Sequence, residues 1–254
     1  MTNSEEKIQR DVLLMLSGGR DSFLSACHLI EEGYSVRMVT YNNGCLSNAS
    51  AVREVANRII GKYGASRASY IGIHSVVSSL FRLQEAFLYQ TINQSSERYP
   101  YLRPAQLPCL ACHTGMYLES IVYCKTHNIH YIAEGARKSQ KFFVELPEMV
   151  KRYKTLTQQY NIELLLPVYE LSDEWERKLK LSDRGYIPKT LEPQCWIGCP
   201  LREELSSDEV NSLSEYYDME MKPKLSDIIE KKIKERSFEG EQVWEDYQGD
   251  YIEI

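Results

Sequence analysis

The sequence predicts an α/β protein with a doubly wound parallel sheet and a C-terminal helical extension. Short apolar runs alternate along residues 11–185 with segments whose apolar residues recur at helical spacing. Glycines follow several of these segments, as is typical of helix ends and of turns between elements. A repeated strand–helix–strand order implies parallel strands covered by helices on both faces.

Five segments are predicted to be strands because they are short and rich in apolar, β-branched and aromatic residues. They are residues 11–16, 35–41, 68–75, 129–135 and 162–169. Helices are predicted over residues 21–32, 47–63, 77–90, 109–128, 146–161 and 172–185. The polar stretch 91–108 contains three prolines and is predicted to be a long loop. Residues 201–236 again have a helical pattern, with a break expected at Pro223.

Charge divides the chain into two parts. Residues 201–254 hold 16 Asp/Glu and 7 Lys/Arg, a net charge of −9, so residues 1–200 carry +3 within a total of −6. We therefore expect a ligand-binding domain over 1–200 and an acidic helical extension over 201–254. A mildly basic body suits an anionic ligand such as a nucleotide and tolerates RNA. It lacks the strongly basic surface of a dedicated nucleic-acid binder.

The expected cellular compartment rests on two sequence patterns that were not found, a membrane helix and a signal peptide. No apolar run approaches the roughly 20 residues of a membrane helix, and residues 1–11 are polar, unlike a signal peptide. We expect a cytoplasmic protein with no membrane partner. Seven cysteines in such a protein favour metal binding or thiol chemistry over a disulfide scaffold.

The stretch SGGRDS, residues 17–22, follows the first predicted strand and begins the first predicted helix. In an open parallel sheet, ligands bind beyond the carboxyl ends of the strands. Glycines let the backbone approach a ligand closely, and consecutive N–H groups with a helix N-terminus hold phosphate. The sequence therefore predicts a phosphate-binding loop. The patterns GxxxxGK[ST] and GxGxxG are absent, which excludes two common nucleotide loops.

This loop resembles the PP-loop motif SGGxDS of the N-type ATP pyrophosphatase superfamily, whose members cleave ATP between the α and β phosphates. The matching positions are Ser17, Gly18, Gly19, Asp21 and Ser22, with Arg20 at the variable position. The resemblance implies the adenine nucleotide α hydrolase-like (HUP) fold, with ATP bound by the loop amides and both serines. It also implies that Asp21 helps to hold Mg²⁺ and is catalytic.

Further nucleotide contacts are expected at other strand ends. Thr40 and Tyr41 end the second predicted strand, where the superfamily receives the adenosine. Gly135 ends the fourth strand and would let the nucleotide approach. Lys138 follows it at the same edge and would neutralise phosphate charge.

Two cysteine pairs indicate the branch of the superfamily. Cys109 and Cys112 have CxxC spacing at a predicted helix start, and Cys195 and Cys199 have CxxxC spacing. The arrangement most resembles the tRNA thiolation enzymes that make 4-thiouridine, 2-thiouridine and 2-thiocytidine. It implies an ATP-dependent sulfurtransferase that adenylates a tRNA base, releases pyrophosphate and replaces oxygen by sulfur. The implied partners are tRNA and a sulfur donor, either a protein or sulfide. A homodimer is a further expectation.

Three chemistries stay open for the cysteines. Cys109 or Cys112 is a candidate persulfide carrier, since a helix N-terminus lowers a thiol pKa. All four thiolates would form a structural Zn²⁺ site. The leading expectation is a [4Fe–4S] cluster on three of them, with Cys195 preferred to Cys199 as the third ligand.

Two other functions also stay open. One is a PP-loop ligase that forms an amide or nitrile on a small molecule, like the 7-cyano-7-deazaguanine synthases. The other is a non-catalytic ATP-binding subunit. The late cysteine clusters of the first class differ from the central CLAC here, and the intact loop disfavours the second.

Overall fold

The computed structural model describes residues 10–90, 98–186, 191–196 and 204–239. One parallel sheet has the strand order β3-β2-β1-β4-β5. Its strands are β1 (Arg10–Met15), β2 (Tyr34–Asn42), β3 (Ala68–Ser75), β4 (Tyr131–Glu134) and β5 (Glu163–Leu165). The order reverses between β1 and β4, which places a ligand crevice at their carboxyl ends.

Helices cover both faces of the sheet, which confirms the doubly wound prediction. Within the described residues they are α1 (Arg20–Glu31), α2 (Val52–Tyr63), α3 (Val77–Gln90), α4 (Leu107–Thr126), α5 (Pro147–Gln158), α6 (Glu174–Ser182), α7 (Ser207–Tyr216) and α8 (Lys222–Glu239). The strand β5 is shorter than predicted and ends two residues before Pro167, which has no N–H for a strand ladder.

Alternate residues of β1 enter two separate cores. Val12 and Leu14 pack with α1 and α2, whereas Leu13 and Met15 pack with α4 on the opposite face. All four are 4% exposed or less. Successive side chains of a strand point to opposite faces, so a strand buried on both sides must be apolar at every position.

The C-terminal helices share the core on the α4 face, through Leu213, Tyr217, Met221 and Ile229. The expected break at Pro223 takes the form of a π-helical turn over Tyr217–Met221, and α8 continues through the proline. A π turn is one of the ways in which a helix accommodates a disrupted hydrogen-bond ladder. No described helix is long and apolar enough to cross a membrane.

A buried ion-pair cluster holds α8 against α4. Glu119 of α4 is 1% exposed and lies 2.7 Å from Lys232 Nζ and 3.2 Å from Arg236 Nη2. Ser79 donates a hydrogen bond to the same carboxylate at 2.5 Å, and His74 Nε2 lies 3.3 Å from it. Burial acts to raise the pKa of Glu119, but His74 and Lys232 lower it to about 2.

Candidate active site

A cleft of about 490 Å³ opens at the carboxyl edge of the sheet. It joins parts of the chain that are far apart in sequence: Ser17 after β1, Thr40 at the end of β2, Cys109 and Cys112 on α4, and Cys195 in the segment 191–196. Much of the remaining wall is apolar and includes Leu46, Leu80, Phe81, Met116 and Val144. The cleft therefore combines the predicted phosphate loop with three of the four predicted cysteines.

The loop after β1 is shaped by its own serines. Gly18 has a φ of +81°, a backbone angle that favours glycine, and Gly19 is the N-cap of α1. The Ser17 hydroxyl accepts a hydrogen bond from Gly19 N at 3.2 Å and lies 3.1 Å from the Ser22 hydroxyl. Ser22 in turn donates to the carbonyl of Gly19 at 3.1 Å. The loop is thus a preformed turn at the positive end of a helix, which suits an anion.

Asp21 lies between two arginines. Its Oδ2 is 2.7 Å from Arg137 Nε, and its Oδ1 is 2.5 Å from Arg177 Nη1. Arg177 comes from α6 and is 5% exposed, whereas the Asp21 side chain is 20% exposed, so the pair is partly shielded from water. A Mg²⁺ ion held by Asp21 would share the carboxylate with these two guanidinium groups.

The thiols at the cleft are partly buried. Burial raises the pKa of Cys109 to about 12, with Cys112 and Cys195 as nearby thiols that add to the effect. It also raises the pKa of Cys112 to about 11. The helix N-terminus was expected to lower these values. Desolvation by the apolar wall opposes the charged thiolate more strongly than the helix end favours it.

The segment that carries Cys195 is paired with the loop after β2. Cys195 forms an isolated antiparallel bridge with Leu46, and Asn43 Nδ2 donates to its Sγ at 3.4 Å. This pairing also brings Cys45 to the cleft. Among the described residues, no group of three or more His, Cys, Asp and Glu side chains is arranged to hold a metal ion. Cys199 lies outside the described residues.

A buried acid–base cluster stands behind the cleft, beside the CxxC pair. His113 lines the cleft, and its Nε2 is 3.1 Å from Glu134 Oε2. Burial acts to lower the pKa of His113, but the negative charge of Glu134 raises it above its ordinary value. Burial and the charge of Glu134 raise the pKa of Glu145 to about 7. The sequence offered only the position of His113 next to Cys112 as a signal for this cluster.

A solved structure has a fold similar to that of this chain. A 4-thiouridine synthetase, solved as an RNA complex with bound ATP, matches 89% of this chain with a TM-score of 0.62 and 14% identity. The chain shares the fold of that protein, the adenine nucleotide α hydrolase-like (HUP) fold. At this identity the likeness establishes the fold alone, and the chain spans only 53% of the length of that protein. No protein-family model and no curated protein matches the sequence.

Two further solved structures match with lower TM-scores. A predicted tRNA methyltransferase subunit from Methanocaldococcus jannaschii matches 79% of this chain and 92% of its own, at 18% identity and a TM-score of 0.47. NMN synthetase from Francisella tularensis matches 89% of this chain and 87% of its own, at 10% identity and a TM-score of 0.45. These scores are too low to support an argument.

The strand-end residues of β2 shape the PP-loop cleft with hydroxyls that are already hydrogen-bonded. Thr40 donates to the carbonyl of Leu16 at 2.9 Å, and Tyr70 donates to Thr40 at 3.0 Å. The Tyr41 hydroxyl lies 2.8 Å from that of Ser120. Both residues line the cleft, and their predicted contact with the adenosine stays a prediction.

Gly135 serves the PP-loop in a way that the sequence did not predict. A Cβ at this position would lie 2.5 Å from Ser22 N and 2.7 Å from the carbonyl carbon of Asp21. The loop backbone therefore fills the space that was expected to receive the nucleotide. The missing side chain lets α1 begin directly against the end of β4.

Arg20 and Lys138, both predicted to bind the nucleotide, lie beside acidic side chains. Arg20 Nη1 lies 3.1 Å from Glu174, and Lys138 Nζ lies 4.0 Å from Glu170. Neither lines the cleft. Arg137, two residues after Gly135, reaches the PP-loop through Asp21, as Arg177 of α6 also does.

One acidic residue at the PP-loop carried no sequence signal. Glu192 lines the cleft, and a Cβ on Gly19 would lie 2.9 and 3.1 Å from its two carboxylate oxygens. Glu192 and the loop glycines are separated by more than 170 residues, so no local pattern could have paired them.

Proposed function

We propose that this chain is an ATP-using PP-loop enzyme that adenylates a tRNA base and replaces its oxygen by sulfur. One observation carries the proposal: a single cleft is lined by Ser17 of the phosphate loop and by the CxxC thiols Cys109 and Cys112. Adenylation and sulfur transfer act on the same substrate carbon, so both groups must reach one place. The RNA-bound and ATP-bound 4-thiouridine synthetase of like fold supports this choice of acceptor.

The first step forms an adenylate. A carbonyl oxygen of the base attacks the α-phosphorus of ATP, the bond from that phosphorus to the bridging oxygen breaks, and pyrophosphate leaves. The backbone N–H groups of the loop and the N-terminus of α1 offset the charge that develops on the leaving group. Mg²⁺, held with the help of Asp21, would add to this stabilisation.

The second step exchanges oxygen for sulfur. With a persulfide on Cys109 or Cys112, its terminal sulfur attacks the adenylated carbon, and AMP leaves with the oxygen. The other thiol of the pair then attacks the persulfide's inner sulfur, which releases the thiolated base and leaves a disulfide. Sulfide then attacks this disulfide, which returns one cysteine to the persulfide and the other to the thiol for the next turnover.

Four thiols border the cleft, those of Cys45, Cys109, Cys112 and Cys195, and soft thiols suit iron and zinc in their chemistry, although in the described residues they are not arranged around a metal position. Cys109, Cys112 and Cys195 would hold a [4Fe–4S] cluster, which supplies an open iron site for sulfide when bound. Zn²⁺ is the alternative occupant for the same thiols.

The apolar wall is consistent with a planar base as the acceptor. Phe81, Leu80 and Met116 present surface against which a base packs, and they exclude water from the adenylate. Low local dielectric strengthens the interaction between the loop and the leaving pyrophosphate.

The test combines the purified protein with Mg²⁺-ATP, sulfide and unmodified tRNA. Pyrophosphate release and thionucleosides, detected by mass spectrometry after RNA digestion, are measured together. We expect Ser17→Ala to lower both by at least about tenfold, since it removes a group at the leaving phosphate. Cys109→Ala and Cys112→Ala are expected to keep ATP–pyrophosphate exchange and to lose the thionucleoside.

Cys27→Ala is the matched control, because Cys27 is fully buried in α1 and does not line the cleft. It should keep both activities. Pyrophosphate release that continues without sulfur in any RNA, and that ignores Cys109 and Cys112, would contradict the sulfurtransferase and favour a ligase. Absence of ATP turnover would contradict the enzyme itself.

A further inference from the structure

The segment 191–196 lies across the PP-loop with a carboxylate against the phosphate cradle. Both oxygens of Glu192 lie against Gly19, the N-cap of α1, and the carboxylate is hydrogen-bonded to the Ser17 side chain. No side chain of the loop itself caps the helix. The Glu192 carboxylate therefore lies against the same helix N-terminus and loop backbone that are expected to bind phosphate.

We infer that Glu192 competes with the phosphates of ATP for the PP-loop, so that ATP binds by displacing the segment 191–196. The inference rests on the proposed function. Both ligands are oxyanions, and two anions cannot share one cradle at van der Waals distance. The carboxylate also has a negative neighbour in Asp21, and the protein around it raises its pKa above the ordinary value chiefly through desolvation. Glu192 is exposed, so displacement can begin at this residue, whereas Leu191 beside it packs against the core of α1 and α2.

Backbone hydrogen bonds tie the segment down on two sides. Leu191 N donates to the carbonyl of Gly18 at 3.2 Å, next to the glycine with positive φ. At the other end, Trp196 N donates to the carbonyl of Cys45 at 3.0 Å. Ser47 N also donates to the carbonyl of Gln194 at 2.9 Å, so three backbone bonds to neighbouring loops hold these six residues. Residues 192, 194 and 196 are exposed, which is typical of an element with lower local stability than the core.

Displacement of this segment would also move Cys195. That thiol stands three residues after Glu192 and lines the same cleft as Cys109 and Cys112. Arrival of the triphosphate would therefore change the set of thiols that faces the acceptor. The chain thus links ATP occupancy to the arrangement of its sulfur chemistry through one short segment.

The experiment compares Glu192→Gln with the wild-type chain, using calorimetric titration of inorganic pyrophosphate and of Mg²⁺-ATP. Glutamine keeps the size of the side chain and removes its charge. When Glu192 occupies the loop, only the remaining fraction of molecules can bind ligand, and the apparent affinity falls in proportion to that fraction. Removing the charge of Glu192 is therefore expected to raise the affinity for both ligands by about three- to tenfold. Glu163→Gln makes the same charge change on an exposed residue at the amino end of β5 and should leave both affinities unchanged.

Trp196, 77% exposed, supplies a second readout within the segment. Its fluorescence should change at saturating ATP in the wild-type chain, and this change should be missing in Trp196→Phe. Unchanged affinity in Glu192→Gln, or a silent Trp196, would overturn the inference and leave the proposed function standing. Weaker ATP binding would overturn it too, by assigning Glu192 to the bound Mg²⁺-ATP. If neither protein binds ATP, the proposed function fails first.

Discussion

Replacing Gly135 by alanine tests how the PP-loop is held. The added Cβ would meet three backbone atoms of Asp21 and Ser22 at 2.5, 2.7 and 2.8 Å, so one of the two elements must shift by about half an ångström. Backbone cannot swing aside as a flexible side chain can, which places the cost near the upper end of overpacking, about 2–3 kcal/mol. For a chain of this size, that corresponds to a Tm lowered by roughly 4–12 °C.

The control is the same substitution in a different environment. Gly61 lies inside α2 with no atom within 4 Å of an added Cβ. Gly61→Ala should stabilise the protein by about 0.5–1 kcal/mol, because alanine favours a helix interior. Calorimetry gives Tm, and titration with Mg²⁺-ATP gives affinity.

Gly135→Ala should also lower the affinity for Mg²⁺-ATP by about tenfold or more, since the added Cβ displaces the backbone of the PP-loop itself. A Gly135→Ala protein that matches the wild type in Tm and in ATP affinity would refute this account of the PP-loop.

Two further predictions concern buried charge. Glu119→Gln should leave Lys232 and Arg236 without their counter-charge and cost about 3 kcal/mol of unfolding free energy, measured by urea denaturation. In the wild type the pKa of Glu119 is about 2, against its ordinary 4.5, so this stabilisation is complete at neutral pH. It should disappear as the pH falls from 4.5 towards 2. Arg177→Ala should leave Asp21 with one arginine. Because the pair is only partly buried, we expect the free energy of unfolding to fall by about 2 kcal/mol. Mg²⁺-ATP binding, measured by calorimetric titration, should also weaken.

Each of these changes has an exposed counterpart. Glu163→Gln removes a surface carboxylate and should shift the urea midpoint little at any pH. Arg58→Ala removes one partner of an exposed pair with Glu54 on α2, which should be worth less than about 1 kcal/mol. Charge variants of the buried sites that behave like these surface variants would show that neither cluster contributes to stability.

The arginine contacts at the PP-loop also revise the role expected for Asp21. A motif assigns this carboxylate to Mg²⁺, and the structure surrounds it with Arg137 and Arg177. The two assignments agree if the arginines orient the carboxylate and hold α6 against α1. The Arg177→Ala titration addresses this directly, since a purely structural arginine would change Tm and leave the affinity for Mg²⁺-ATP unaltered.

Most of the framework could be predicted from sequence, because contiguous residues carry it. The apolar run before Ser17, the glycines of the loop and the helical stripe after Asp21 predicted β1, the PP-loop and α1 nearly to the residue. Periodicity likewise predicted α3 at its observed bounds. Burial on both faces of β1 follows from a strand that is apolar at every position.

The site itself depends on contacts that only the tertiary structure makes. Asp21 meets Arg177 across 156 positions of sequence, and Glu192 reaches Gly19 across a similar separation. The same holds for the cysteine pKa values: a helix start predicts a lowered value, but the apolar wall that raises it is assembled from other elements. Local patterns determine which elements form and where a loop can hold phosphate. The packing of distant elements decides which charges, thiols and glycines surround that loop, because burial and short distances arise only when the chain is folded.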